Sequence, residues 1–148
     1  MLKNSTDIPD KLIAIAVAFG MPQGMSKEAV QKIVVKNKRR GKTHGRWGWY
    51  YPGDQRIVVI VPRVISRPHT FPRPYSRRRI IISSRAEFLV TLLAHEMRHA
   101  WQYENWRTPN MLWRLDRSSV AKYAREVDAE LWESEVLERW KHNLMFND

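Results

Sequence analysis

Residues 95–99 have the sequence His-Glu-Met-Arg-His, an H-E-x-x-H motif. On a helix, side chains four positions apart project from one face, so the imidazoles of His95 and His99 can reach a single metal ion. Glu96 then lies beside that ion, where its carboxylate can accept a proton from a water molecule. We therefore predict a metal site with two histidine ligands and Glu96 as the catalytic base.

The residues before the motif predict the helix that this geometry requires. Ser84 and Glu87 have the spacing of a capping box, which predicts a helix over about residues 85–105. Both histidines and Glu96 fall within its apolar stripe. Burying three polar groups together is costly unless a partner satisfies them, and a metal ion does so. The alternative is a pair of core histidines bonded to the backbone.

The chain has no cysteine, so any further ligand must be a histidine or a carboxylate. A catalytic zinc ion usually has three protein ligands and one open position. The longer pattern H-E-x-x-H-x-x-G-x-x-H is absent, because Gln102 and Asn105 occupy its later positions, and the only later histidine is His142. A carboxylate is therefore the expected third ligand.

The last helix, predicted from Ser118 or Ser119 to about residue 141, carries Glu126 and Glu130 in its apolar stripe. One carboxylate can bind the metal ion while the other orients a ligand histidine, or both can be rim residues. Asp128 projects to the opposite side. The predicted apolar members of the stripe are Val120, Tyr123, Val127, Leu131 and Leu137.

The two motifs together resemble the gluzincin family of zinc metallopeptidases, in which H-E-x-x-H on one helix precedes E-x-x-x-D on the next. The similarity covers about residues 79–141, and comparable minimal domains include the ImmA/IrrE-like peptidases. By position, the resemblance implies that Glu126 is the third ligand of one Zn²⁺ per chain. Glu130 stands at the family's aspartate position, as the residue that orients a histidine or as an alternative ligand. The strand before the first motif helix would form one wall of the substrate cleft.

The reaction implied is hydrolysis of peptide bonds, with Glu96 taking a proton from water and passing it to the leaving amine. A tyrosine or histidine commonly stabilises the oxyanion in such enzymes. The candidates, among which the sequence does not choose, are Tyr103, Tyr123, His69 and Tyr75. Tyr123 has the helical spacing of a core residue, and both His44 and His69 are expected to be loop residues rather than ligands.

The whole chain predicts one α+β domain over residues 1–148, with a zincin-like arrangement. Residues 1–45 predict two helices, at 11–19 and about 26–38, followed by a basic loop. Residues 46–83 predict a small, mostly antiparallel sheet, and residues 84–148 carry the two long helices of the metal site. The sheet region consists of a hairpin at 47–51 and 56–61, an extended Pro-rich loop at 62–74 and a strand at 79–83.

The formal net charge of +11 is concentrated between residues 32 and 79, where Asp54 is the only carboxylate. This basic region is either solvated surface or a footprint for nucleic acid or an acidic partner. Trp47, Trp49, Tyr50 and Tyr51 could stack on bases, or could be half-buried core. No stretch approaches the 18 apolar residues of a membrane span.

Three functions are compatible with these patterns. The first is a peptidase of narrow specificity that acts on a protein partner, and its position near nucleic acid would follow from the basic region. The second is a zincin-like binding or structural protein without catalytic activity. The third is a basic nucleic-acid-binding module in which H-E-x-x-H is accidental. Residues 12–19 could be a signal core, but an amphipathic helix fits them better, so we predict a cytoplasmic location.

Overall fold

A computed structural model describes residues 1–39, 47–106 and 119–146. This part of the chain contains three helices and two small sheets, so the predicted α+β class is confirmed. Residues 40–46, which include His44 and fall in the predicted basic loop, and position 118 lie outside the described residues. In chain order the elements are β1 (Leu2–Asn4), α1 (Asp10–Gly20), β2 (Lys32–Asn37), β3 (Gly48–Tyr51), β4 (Arg56–Val61), β5 (His69–Pro72), β6 (Arg79–Ile82), α2 (Arg85–Asn105) and α3 (Ser119–Phe146).

The larger sheet has the strand order β1-β2-β4-β3. β1 and β4 both pair with β2 in parallel, and β3 pairs with β4 in the antiparallel direction. The two central strands are rich in isoleucine and valine, and Val35, Ile57, Val59 and Val61 are fully buried. Such β-branched runs are typical of strands covered by helices. The prediction of a mostly antiparallel sheet is wrong for this larger sheet, where two of the three pairings are parallel.

The error originates in residues 26–38, which we predicted as a helix and which contain β2. The run Ile33-Val34-Val35 has high strand propensity, and pairing on both sides satisfies its backbone groups. Ser26 does not cap a helix. Its hydroxyl and backbone N–H both donate to the carboxylate of Glu104.

The smaller sheet is the antiparallel pair β5 and β6. Its first strand lies within residues 62–74, so the prediction of a loop throughout that segment is wrong in part. The strand predicted at 79–83 is confirmed as β6. Its three isoleucines alternate, with Ile80 and Ile82 buried and Ile81 exposed.

The helix that carries H-E-x-x-H is confirmed with Ser84 as its cap, but the Glu87 carboxylate contacts the residue before the cap and so completes only half of the predicted capping box. The Ser84 hydroxyl accepts a hydrogen bond from the Glu87 N–H at 3.1 Å, and the Glu87 carboxylate accepts one from the Ser83 N–H at 2.9 Å. The predicted first helix is confirmed as α1, which ends at Gly20. A side chain at Gly20 would meet the backbone of Ala94 at 3.1 Å, so glycine allows α1 to pack closely on α2.

The last helix is confirmed, but its buried face differs from the predicted apolar stripe. Val120 and Tyr123 are 75% and 54% exposed. The prediction that Tyr123 is a core residue is therefore wrong. The residues that α3 buries are Ala121, Ala129, Glu130, Glu133, Val136, Leu137 and Trp140. No helix of the described residues has the length and apolar character needed to cross a membrane.

Candidate metal centre

The candidate centre lies between α2 and α3, which pack against each other. His95 and His99 are one turn apart on α2, and Glu126 faces them from α3. The Glu126 carboxylate lies 3.1 Å from Nε2 of His95 and 3.3 Å from Nε2 of His99, and the two Nε2 atoms are 3.2 Å apart. The structure thus brings together three predicted ligands as a group that could hold a metal ion.

Hydrogen bonds on the far side of each ring assign the histidine tautomers. Nδ1 of His95 lies 3.1 Å from the Glu133 carboxylate, which only accepts when it is ionised. Nδ1 of His99 lies 2.9 Å from Oε1 of Gln102. The amide nitrogen of Gln102 donates to the Arg125 carbonyl and to Asp128, so its oxygen must be the acceptor for His99. Both histidines therefore carry hydrogen on Nδ1.

This assignment tests whether the site suits a cation. With hydrogen on Nδ1, neutral His95 and His99 direct the lone pairs of Nε2 at each other and at the Glu126 carboxylate. Three electron-rich groups at such short separations repel one another unless a proton or a metal ion lies among them. Two imidazole nitrogens and one carboxylate are a donor set that zinc and other divalent transition metals accept.

Charge within the cluster changes the protonation of its members. Burial lowers the pKa of His95, but the opposing effects of Glu133, Glu126 and Glu96 are larger in sum and raise this pKa well above its ordinary value. Burial raises the pKa of Glu126, but contact with His95 and His99, whose rings donate from Nε2 when protonated, outweighs it and holds this pKa well below its ordinary value. A proton can therefore replace a metal cation among these groups.

Glu96, the predicted catalytic base, is buried beside the two histidines. Burial raises the pKa of its carboxyl group, and the nearby histidines only partly offset that effect. A side chain at Gly48 of β3 would lie 3.1 Å from Cγ and 3.2 Å from Oε1 of Glu96. The backbone of this strand therefore runs directly against the Glu96 side chain.

Among the described residues, Glu133 rather than Glu130 contacts a ligand histidine. Glu130 instead accepts hydrogen bonds from the backbone N–H groups of Tyr75 and Ser76, at 3.2 and 2.7 Å. The contact with a candidate ligand histidine that we predicted for Glu130 is thus made by Glu133, which also accepts a hydrogen bond from the Arg73 guanidinium at 2.9 Å. The sequence does contain a signal for Glu133, because it follows Glu126 by seven residues, about two helical turns along one face.

A second polar network supports His99 and was not predicted. Gln102, which is fully buried, connects His99 to the Asp128 carboxylate. Asp128 also accepts two hydrogen bonds from the Arg98 guanidinium, at 2.7 and 3.1 Å. These contacts join α2 to α3 and hold the ring of a candidate ligand, so the prediction that Asp128 projects to the opposite side of its helix is wrong. The spacing of His99 and Gln102, three residues apart on a helix, is the signal that could have indicated the contact.

The histidine face opens onto a cleft of about 540 Å³. One wall of the cleft is formed by α2, and the facing wall is formed by β3 and the residue before it. The family resemblance implied that β6, the strand before α2, would form this wall, but no residue of β6 lines the cleft. The remaining walls are the turn after β5 and one face of α3. The lining residues are Trp47, Gly48, Trp49, Tyr50, Arg73, Pro74, Tyr75, Leu92, His95, Glu96, His99, Lys122, Arg125, Glu126 and Glu130.

The four residues predicted as candidates for oxyanion stabilisation differ in their position relative to the cleft. Tyr75 lines the cleft, with its ring centroid 6.1 Å from that of exposed Tyr123. Tyr103 is half-buried and its ring lies 6.3 Å from that of Tyr50. His69 is exposed on β5, so it lies on a strand rather than in the predicted loop. Tyr75 is therefore the one of the four predicted candidates that lines the cleft.

The aromatic residues of the hairpin are only partly available for stacking. Trp47 is half-buried and its ring contacts that of Phe88 edge to face, with centroids 5.2 Å apart. Tyr51 is exposed, and the Arg56 guanidinium lies 4.4 Å from its ring centroid. Trp47 thus forms part of the wall of the cleft and packs against α2.

Comparison with known proteins finds no family model that matches the chain, and no curated protein or solved structure with significant similarity to it. The basis for assigning the site is therefore the identity and the geometry of its own residues.

Proposed function

We propose that the protein is a zinc-dependent metallopeptidase that hydrolyses peptide bonds in a protein partner. The observation that carries this proposal is the convergence of His95, His99 and Glu126 beside the buried carboxylate of Glu96. A site that only stores or binds a metal ion has no need of that fourth group. Zinc is the proposed ion because two imidazoles and one carboxylate leave one tetrahedral position open for a water molecule or substrate.

When bound, zinc would polarise the scissile carbonyl and make a water molecule more acidic. Glu96 would accept the proton of the attacking water and deliver it to the amine as the carbon–nitrogen bond breaks. Its raised pKa supports this double role, because a carboxyl group of higher pKa holds the transferred proton longer than an exposed glutamate would. Glu133 and Gln102 would keep the two ligand rings in orientation through their Nδ1 atoms.

The position of β3 supports a peptide as the substrate. This strand ends the strand order of the larger sheet and pairs with β4 along one side, while its residues line the cleft. In the part of the chain that the structure describes, β4 is the one strand paired with β3, and the outer edge of such a strand can pair with an extended chain. A peptide added there would pass beside Glu96, since Gly48 contacts that side chain.

The test is hydrolysis of a diverse peptide mixture, read by mass spectrometry, with zinc supplied at one equivalent. We expect cleavage by the wild-type protein, loss of cleavage after removal of the metal with a chelator, and recovery when zinc is returned. Glu96→Gln should retain zinc and lose at least about a hundredfold in rate, since general acid–base catalysis contributes at least that much. The matched control is Glu138→Gln, which changes an exposed glutamate of α3 and should leave the rate unaltered.

If the protein is instead a binding or structural protein without catalytic activity, we expect different results from the same experiment. Zinc would bind, no peptide would be cleaved, and Glu96→Gln would leave partner binding unchanged. Absence of bound metal in a folded chain would contradict both proposals. That outcome would favour the third function, a basic module whose histidines have a structural role.

We also propose that the protein associates with nucleic acid through its basic region. Arg77 and Arg78 in the turn between β5 and β6, and Arg79 at the start of β6, are all exposed, and Arg63 and Arg67 are exposed in the segment before β5. Consecutive arginines can neutralise several phosphates, and the affinity should then fall steeply with salt. Replacing the three consecutive arginines by alanine should reduce this salt dependence, while the exposed pair Lys11 and Lys27 serves as the control. Equal retention on heparin and on a neutral resin would contradict the proposal.

A further inference from the structure

Two basic side chains lie on the α3 wall of the cleft. Lys122 precedes Glu126 by four residues and therefore lies one helical turn away on the same face, and Arg125 is the immediate neighbour of Glu126. Lys122 is exposed, and no carboxylate of the described residues lies within salt-bridge distance of its ammonium group. The positive charge of Lys122 thus lies on the exposed part of the cleft wall, one helical turn from Glu126.

The two acidic side chains on the α3 wall of the cleft are already engaged within the protein. Glu126 contacts both histidines, and Glu130 accepts hydrogen bonds from two backbone N–H groups of the turn after β5. The third basic lining residue, Arg73, is paired with the buried carboxylate of Glu133. The charge that the α3 wall offers to an incoming chain is therefore positive, which agrees with the net charge of +11 of the whole protein.

We propose that the cleft selects peptides that carry an acidic side chain near the scissile bond, and that Lys122 contacts its carboxylate. This inference rests on the proposed function, since it names the substrate class of the same site. A carboxylate bound by a lysine or arginine forms a charge-assisted hydrogen bond, which is stronger than a bond between neutral groups. The positive field of the protein would also increase the rate at which acidic peptides arrive.

The test uses quenched fluorescent peptides that differ at one position, where they carry Glu, Gln or Lys, with that position moved in turn along both sides of the scissile bond. At one position at least, we expect kcat/KM to fall about tenfold from Glu to Gln and further to Lys, and the preference to weaken as salt is added. Lys122→Glu should abolish or reverse the preference. The control Lys11→Glu makes the same charge change at an exposed residue outside the cleft and should preserve the preference.

Equal cleavage of the three peptides at every position would overturn the inference while leaving the peptidase proposal intact. A preference that Lys122→Glu and Lys11→Glu alter equally would also overturn it, because the cause would then be the net charge and not the cleft. If no peptide is cleaved, binding of the labelled peptides to the zinc-loaded protein is measured by fluorescence anisotropy. Tighter binding of the Glu peptide, lost in Lys122→Glu alone, would support the acidic specificity although the proposed hydrolysis had failed. Equal binding of all three would overturn it.

Discussion

The Glu133 carboxylate lies 3.1 Å from Nδ1 of His95, while Nε2 of the same ring lies 3.1 Å from the Glu126 carboxylate. One imidazole is thus held between two acidic groups of α3, one of which is a proposed ligand. Glu133 is 1% exposed and is further fixed by Arg73. Since its contact sets the tautomer and orientation of His95, the strength of metal binding should depend on a residue that is not itself a ligand.

Glu133→Gln should weaken zinc binding by about 10- to 100-fold, the range typical when a residue that supports a ligand is replaced. A competition titration with a chromophoric chelator measures this affinity. The control is Glu130→Gln, an equally buried glutamate of α3 whose hydrogen bonds go to the backbone of a turn. Equal losses of affinity in the two variants would show that Glu133 acts through the fold and not through His95.

The wild-type protein should bind about one zinc ion per chain, and His95→Ala should bind none. His95 supplies one of the three ligand atoms, and a histidine and a carboxylate alone leave too few protein ligands for tight binding. Elemental analysis after gel filtration gives the stoichiometry. His69→Ala, which removes an exposed histidine from β5, should retain the metal. Zinc at full stoichiometry in His95→Ala would exclude the proposed site.

The metal-free chain should lose stability as the pH rises from mildly acidic values. His95 has a pKa raised above its ordinary 6.5, so its contribution is fully present below pH 6.5 and is lost as the pH rises through the folded-state pKa. Glu96 has a pKa raised above 4.5 and acts in the same direction. Glu126 has a lowered pKa, so its contribution is present above pH 4.5 and is lost as the pH falls through the lower folded-state pKa. The Glu96 contribution starts to be lost above pH 4.5 and the His95 contribution above pH 6.5, so urea unfolding with a chelator present should give greatest stability near pH 4.5 and a further decline above pH 6.5.

The His95→Ala variant provides the control for this pH dependence. Without the imidazole, Glu126 loses one hydrogen-bonding partner, and the decline of stability above pH 6.5 should become shallower. Zinc should reverse the trend in the wild-type protein, because a metal ion competes with the proton for Nε2 of His95. A stability of the metal-free wild-type chain that increases steadily up to pH 8 would contradict the proposed charge arrangement.

Gly48→Ala should reduce peptidase activity while the fold is retained. The added Cβ would lie 3.1 Å from Cγ of Glu96, so either the β3 backbone or the proposed catalytic carboxylate has to shift. A displacement of about 1 Å at a reacting group can lower a rate by about a hundredfold. Gly53→Ala is the matched control, since nothing lies within 4 Å of a Cβ at that position. Circular dichroism and kcat/KM, measured for both variants, separate folding from catalysis.

The parts of the fold that were predicted depend on local signals. The capping box at Ser84 and Glu87 and the spacing of His95 and His99 describe contacts within a few residues, so they indicate α2 and its polar face directly. The hairpin of β3 and β4 has the same local character, because a short turn connects its strands. These features can be predicted without information about residues far away in the sequence.

The parts that were not predicted depend on partners far along the sequence. β2 is a strand because Val34 pairs with Val58, and a helical pattern in residues 26–38 carries no information about that pairing. Glu126, Glu130 and Glu133 are chemically alike and lie on overlapping faces of α3. The contact of Glu133 with His95 depends on how α3 is rotated against α2. The contact of Glu130 depends on the turn after β5, and the sequence does not indicate the position of that turn.

The ligands of the candidate centre come from two helices, and His99 and Glu126 are 27 positions apart in the sequence. An ion held there would bind the folded chain and have little affinity for the unfolded one, in which the helices are apart. Free ion at about 100 times its dissociation constant would add about 2.7 kcal/mol to the free energy of unfolding. The lifetime of the protein in a cell would then follow the supply of the metal, so that scarcity would lower its abundance as well as its activity.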